Sequence, residues 1–131
     1  MRLYPPRTDR EFKATWCFFR SAELFKSLKA LKADSTLGPH ILDIRGQGLM
    51  IAVEFASFSQ PTFDPAVKGT QTSLPMKIKS VNRCIEKGLL LLPTSGYETV
   101  RFIPPLNISR ADLAKGIEIF EEAVKEVVDE A

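Results

Sequence analysis

One arginine lies at the centre of a short apolar run, where its type and position suit the binding of an acid. Arg101 is flanked by Val100 and Phe102, and Pro104 and Pro105 end the run. Side chains alternate along a strand, so Arg101 faces away from a core that takes up its two neighbours. A guanidinium binds a carboxylate or phosphate through two parallel hydrogen bonds, which suits an acidic substrate. Spacing alone favours the commoner alternative, an edge-strand arginine in a structural ion pair or in solvent.

Few other residues have a type and spacing that suggest catalysis or metal binding. His40 is the only histidine, which argues against a Ser-His-Asp set. Cys17 and Cys84 are the only cysteines and lie far apart. They allow a single disulfide, but we expect two reduced thiols in an intracellular protein. Their spacing from His40 does not match known zinc-ligand patterns, and we expect no metal site. These residues nominate no catalytic group.

The glycine pair Gly46 and Gly48 invites comparison with a phosphate-binding loop. A dinucleotide-binding loop connects a strand to a helix. Here the segment that follows, Leu49 to Phe55, continues as an apolar strand. The pair is therefore predicted to form the turn or bulge of a hairpin, and we expect no cofactor contact from it.

Three segments have the periodicity of helices. The first is predicted from Glu11 to Ala33, and the second from Pro75 to Lys87, with Gly88 in the left-handed position after it. The third begins at Ser109, which can cap the free amides while Asp112 returns the bond. The predicted apolar stripes are Ala22, Leu24, Phe25, Leu28 and Leu31 in the first, Ile78, Val81 and Ile85 in the second, and Leu113, Ile117, Phe120, Val124 and Val127 in the third.

Four segments are predicted as strands. Ile41 to Ile44 and Leu49 to Phe55 form a hairpin around the glycine pair. The run Leu89 to Leu92 is apolar at every position, which is typical of a strand covered on both faces. Thr99 to Ile103, which contains Arg101, completes the set.

The order of these elements predicts an α+β fold, with a small, largely antiparallel sheet and helices packed on one side. The 19 residues between Phe55 and Pro75 are polar and lack an apolar period. That length is unusual within a compact domain, so we expect a functional flap or a mobile excursion.

Length and composition describe an ordinary globular chain. It has 131 residues, 44% of them hydrophobic and 26% charged, which predicts one domain with a real core. The net charge of +2 is too small to argue for a nucleic-acid or membrane partner. No apolar run approaches the ~20 residues of a membrane span. The basic first helix leaves nucleic-acid binding as the weakest alternative.

Three motifs together resemble the C-terminal domain of class III aminotransferases, which include the 4-aminobutyrate, ornithine and acetylornithine enzymes. They are Asp43–Ile51 (DIRGQGLMI), Glu86–Leu91 (EKGLLL) and Val100–Ser109 (VRFIPPLNIS). Their order and intervals match the family, and the resemblance extends from about residue 20 to the end. Residues 1–19 stay unassigned, and residues 20–131 are identified as this domain, the small domain of a fold-type I transferase.

The resemblance implies an enzyme that uses pyridoxal 5′-phosphate (PLP) to move an amino group from an amino acid to a 2-oxo acid. It also implies that Arg101 binds a substrate carboxylate or pairs with a glutamate of the large domain, and that the Arg45–Gly46 turn is architectural. The cofactor lysine, the aspartate under the pyridine nitrogen and the phosphate loop belong to the large domain, so no catalytic or cofactor-binding residue is nominated here.

We therefore expect a C-terminal aminotransferase fragment that is inactive alone and pairs with a large domain or with a second copy. Its exposed apolar surface is expected to include Trp16, Phe18 and Phe19. Cytoplasmic and mitochondrial locations both stay open. The alternative from a different class is a non-catalytic α+β module that binds a small acid or a partner protein.

Overall fold

The computed structural model describes residues 7–56, 76–94 and 97–130, with side chains from residue 17 onward. The predicted 19-residue polar segment, apart from its first residue Ala56, and the side chain of Trp16 fall outside these residues. In chain order the described elements are α1 (Arg7–Ala33), a 3₁₀ turn (Gly38–His40), β1 (Ile41–Gln47), β2 (Met50–Phe55), α2 (Met76–Glu86), β3 (Leu92–Pro93), β4 (Thr99–Phe102) and α3 (Arg110–Asp129).

The four strands form one antiparallel sheet in the order β1-β2-β4-β3. The central strands β2 and β4 come from distant parts of the chain, while β1 and β3 lie at the edges. One face of the sheet packs against the helices in a single core. This confirms the predicted α+β class with a small antiparallel sheet.

Alternation along the two central strands builds the core. Val53 and Phe55 on β2, and Val100 and Phe102 on β4, are all buried. Phe120 of α3 packs against them, with its ring centroid 4.9 Å from that of Phe102 and 6.4 Å from that of Phe55. These aromatic contacts join α3 to the sheet and hold β4 in place.

The helix ends agree well with their sequence signals. The Ser109 side chain accepts a hydrogen bond of 3.1 Å from the Asp112 backbone, which confirms Ser109 as the cap of α3. Among the described residues the Asp112 side chain does not return the bond, so that half of the prediction was wrong. Gly88 follows α2 with φ = +91°, as its position past the helix end predicted. Helix α1 begins at Arg7, earlier than the predicted Glu11.

The glycine pair lies in the β1–β2 hairpin, as predicted. A Cβ atom on Gly46 would lie 2.2 Å from the carbonyl oxygen of Met50, so the two strands approach too closely for any other residue. The carbonyl of Gly48 accepts a hydrogen bond of 2.5 Å from Ser21 of α1. The glycines therefore serve strand pairing and helix packing.

The prediction of a doubly covered strand over Leu89 to Leu92 was wrong. The described strand begins only at Leu92, and it lies at the edge of the sheet. Leu90 is 77% exposed and Leu92 is 49% exposed, while Leu91 is buried. The described helices cover only one face of this sheet, so within residues 7–56, 76–94 and 97–130 the side chains directed to the other face have no layer above them.

The predicted buried face of α2, Ile78, Val81 and Ile85, was wrong by about one residue along the chain. The structure buries Lys77, Ser80, Val81 and Cys84, whereas Ile85 is exposed. The real stripe has the correct i, i+3, i+4, i+7 spacing but contains two polar residues. A prediction that follows apolar residues alone therefore chooses the neighbouring stripe.

Ser80 offers a direct test of this packing. It is fully buried in α2, and its hydroxyl has no hydrogen-bond partner in the part of the chain that the structure describes. A buried unsatisfied hydroxyl is unfavourable, and alanine is the better helix former. We expect Ser80→Ala to raise the free energy of unfolding by about 1 kcal/mol, measured by urea denaturation.

The half-buried Ser27 of α1 supplies the control, since Ser27→Ala changes helix propensity alone and should shift stability by less than about 0.5 kcal/mol. Destabilisation by Ser80→Ala would show that the hydroxyl contributes a favourable interaction.

Candidate functional site

Arg101 lies at the centre of the face of the sheet that the described helices leave open, here called the outer face. Its neighbours Val100 and Phe102 are buried in the core, and Arg101 itself is exposed. In the strand register it pairs with Ala52 of β2 and Leu92 of β3. The predicted alternation is confirmed, but the strand is not at an edge, because β4 has a neighbour on each side.

A second arginine occupies the same row of the outer face. Arg45 of β1 pairs with Ala52 from the other side, which places it about 10 Å from Arg101. Its guanidinium contacts the carboxylates of Glu54 at 2.5 Å and Asp43 at 3.3 Å. Hydrogen bonds to Glu54 and then to Asp43 raise the pKa of Arg45. Arg45 is thus locally neutralised.

Arg101 has a different environment. Across residues 17–56, 76–94 and 97–130, no side chain forms a hydrogen bond or an ion pair with its guanidinium. All five of its N–H donors are thus available to a ligand or a partner. Within these residues, the structural ion pair that spacing favoured is absent.

Exposed apolar side chains lie on the strands and connections that adjoin Arg101 in the sheet or in the chain. We call the group Met50, Leu90, Leu92, Ile103 and Leu106 the apolar rim, since each is exposed in the strands and connections next to Arg101. Leu90 and Ile103 also line an apolar groove against the first half of α3, in which Asp112 is the only charged lining residue. Several exposed apolar side chains on one part of a surface are typical of an interaction site.

The two cysteines form no site. Both are free thiols, and Cys84 is fully buried between α2 and the core. Burial raises the pKa of Cys84 to about 12, which keeps it protonated and unreactive. Within the described residues, no cluster of histidine, cysteine and acidic side chains could hold a metal ion.

Comparison with known proteins shows to which family this chain belongs. Residues 20–124 match the model of the class III aminotransferases. The chain is 39% identical over 106 residues to the acetylornithine aminotransferase of Clostridium acetobutylicum, covering 81% of this chain and 22% of that enzyme. It is 36% identical over 86 residues to the 5-aminovalerate aminotransferase DavT of Pseudomonas aeruginosa, covering 65% and 18%.

A solved structure supports the same family. A transaminase obtained by ancestral reconstruction superposes with a TM-score of 0.73 at 27% identity, covering 94% of this chain and 25% of that chain. The chain belongs to the class III aminotransferase family. It spans about a fifth to a quarter of the length of these relatives. Across the described helices, none is long and apolar enough to cross a membrane.

The described residues do not fit the PLP that the family resemblance implies. None of the four described strands contains a lysine, so no strand places an amine beside Arg101. The glycine pair is occupied by strand pairing and offers no phosphate cradle. No step of cofactor chemistry is therefore assigned to this chain.

Proposed function

We propose that this chain acts as the small C-terminal domain of a PLP-dependent class III aminotransferase, in which Arg101 holds the carboxylate of an amino acid or 2-oxo acid substrate. The observation that carries the proposal is the contrast between the two outer-face arginines. Arg45 is neutralised by two carboxylates, whereas Arg101 has no partner among the described residues. A cation left available at the centre of a face suits an anion supplied from outside.

The part of this chain in the reaction is binding and orientation. Two parallel hydrogen bonds from the guanidinium would fix both the position and the plane of a carboxylate. The apolar rim would exclude water around this pair, which strengthens its electrostatic attraction. The cofactor and its lysine are assigned to the large domain.

The apolar rim is proposed to pack on that large domain, and the complete enzyme to be a homo-oligomer. Phe18 and Phe19 of α1 form an edge-to-face pair and are both exposed, as predicted, which adds a second apolar surface. We place the enzyme inside the cell, in the cytoplasm or in mitochondria, as its two free thiols favour. One relative, from Yarrowia lipolytica, is named a mitochondrial acetylornithine aminotransferase.

The donor is proposed to be an amino acid with a second amino group or a terminal amine, such as an ornithine-like or 4-aminobutyrate-like compound. Two relatives are named for acetylornithine and 5-aminovalerate, which support this class. An available Arg101 would also suit a second candidate function, that of a non-catalytic module that binds a small acid. The two candidate functions differ in one respect: only the aminotransferase domain should support transamination when it is joined to a large domain.

A chimera tests the proposal. The matching C-terminal segment of the Clostridium acetobutylicum relative would be replaced by residues 20–131 of this chain. We expect the chimera to transaminate acetylornithine with 2-oxoglutarate, while the relative truncated before that segment and this chain alone are both inactive. Activity would be measured by steady-state kinetics, with folding checked by circular dichroism.

A folded chimera that binds PLP but does not transaminate would reject the proposal. The module alternative would then be supported by calorimetric binding of a small carboxylic acid to this chain alone.

A further inference from the structure

A buried lysine lies at the start of α2 and takes no part in the site described above. Lys77 is only 9% exposed. Its ammonium donates hydrogen bonds of 2.9 Å to the carbonyl oxygens of Thr94 and Tyr97. Both acceptors belong to the connection between β3 and β4, so one side chain ties the helix to that turn.

The turn also binds the helix. The carboxylate of Glu98 accepts a hydrogen bond of 3.2 Å from the backbone amide of Lys77. That amide is in the first turn of α2, where free N–H groups favour an acidic partner. Lys77 and Glu98 thus form a reciprocal clamp, with one ionic group from each element bonded to the backbone of the other.

Backbone hydrogen bonds continue from the clamp into β4. The carbonyl of Tyr97 also accepts from the Thr99 amide at 2.7 Å, and the Thr94 amide donates to the Thr99 carbonyl at 2.9 Å. Arg101 follows Thr99 by two residues on the same strand. The clamp therefore sets where the strand that carries Arg101 begins.

Burying an ammonium is costly unless it is well hydrogen-bonded. The acceptors of Lys77 are two neutral carbonyls, which compensate less for desolvation than a carboxylate would. Closing a surface turn does not by itself require a buried cation. The burial of Lys77 has a reason if β4 must be held in one position.

We propose that Lys77 is a positioning residue for Arg101: through the clamp with Glu98 it fixes the β3–β4 turn, and so the guanidinium, relative to the helix layer. This inference rests on the proposed function, in which Arg101 binds a substrate carboxylate. It adds a residue of the helix layer to the determinants of substrate affinity.

Amide hydrogen exchange of the full chain, followed by NMR, tests the clamp without any activity. In Lys77→Met, the amides of Thr94 and Thr99 should exchange roughly tenfold to a hundredfold faster, since a charged hydrogen bond is lost. Amides of the β1–β2 hairpin should keep their rates. Lys79→Met is the matched control on the same helix, because Lys79 forms no hydrogen bond or ion pair with the described residues.

A second pair of variants guards against loss of folding. Lys77→Arg keeps the cation and should restore much of the protection from exchange. Glu98→Gln removes the charge of the turn residue in the clamp, and the amides of Thr94 and Thr99 should again exchange faster. Faster exchange throughout the chain in Lys77→Met, or no change at Thr94 and Thr99, would overturn the proposal.

The chimera then tests whether the clamp acts through Arg101. Lys77→Met should raise KM for the substrate whose carboxylate Arg101 holds by about tenfold, with a smaller change in kcat. In a background that already carries Arg101→Lys, the same change should have little further effect, because both act on one interaction. Equal losses in the two backgrounds would show a general structural role and reject the inference. A chimera that folds and binds PLP but is inactive would reject the proposed function, and the exchange pattern would still decide whether the clamp exists.

Discussion

Arg101→Lys in the active chimera is expected to lower kcat/KM by roughly tenfold to a hundredfold. Lysine keeps the charge but loses the planar fork that holds a carboxylate by two bonds. The loss of a charged hydrogen bond costs on the order of 1.5–3 kcal/mol, which gives that range of rate. The effect should fall mainly on one substrate, so the donor and the 2-oxo acid are varied separately in steady-state kinetics.

The outer face provides a matched control for this change. Arg45→Lys alters the same residue type in the same row of the sheet, but its guanidinium is bound to Glu54 and Asp43. We expect near-normal kinetics for that variant and a similar melting temperature for both. Unaltered kinetics in Arg101→Lys, or unfolding as its main effect, would assign Arg101 to a structural ion pair with the large domain.

Phe120→Ala is expected to lower the free energy of unfolding by about 3–5 kcal/mol, the usual range for deletion of a buried aromatic ring. Phe120 is fully buried and contacts both central strands through Phe55 and Phe102. Its loss leaves a cavity where α3 meets the sheet, which the rigid strands cannot fill. Urea denaturation followed by circular dichroism measures the change.

An exposed phenylalanine of the same chain serves as the comparison. Phe18 of α1 is 69% exposed, so Phe18→Ala should change stability by less than about 0.5 kcal/mol. If the two variants lost equal stability, the aromatic contacts around Phe120 would not be the centre of the core.

Local sequence signals were sufficient to predict those features in which a residue acts through its immediate neighbours. The cap of α3 at Ser109, the hairpin at the glycine pair and the outward direction of Arg101 each follow from a spacing of one to three residues. The fold class followed because alternation and helical period were both clear. These features needed no knowledge of what packs above them.

Features set by distant contacts were missed. The run Leu89 to Leu92 has the composition of a covered strand, but composition does not show that the described helices all pack on one face of the sheet. Lys77 was missed because a lysine is normally exposed, although its spacing from Val81 and Cys84 places it on the buried stripe of α2. The carbonyls that justify its burial lie 17 and 20 residues away in the sequence.

The two edge strands also determine how this chain can aggregate. β1 has an irregular register between Ile41 and Asp43 and carries charged side chains, and β3 is only two residues long and ends in Pro93. Bulges, charges, short length and proline each oppose the addition of a further strand at a sheet edge. Self-association of the domain should therefore proceed through the apolar rim, giving reversible assemblies in preference to cross-β fibrils.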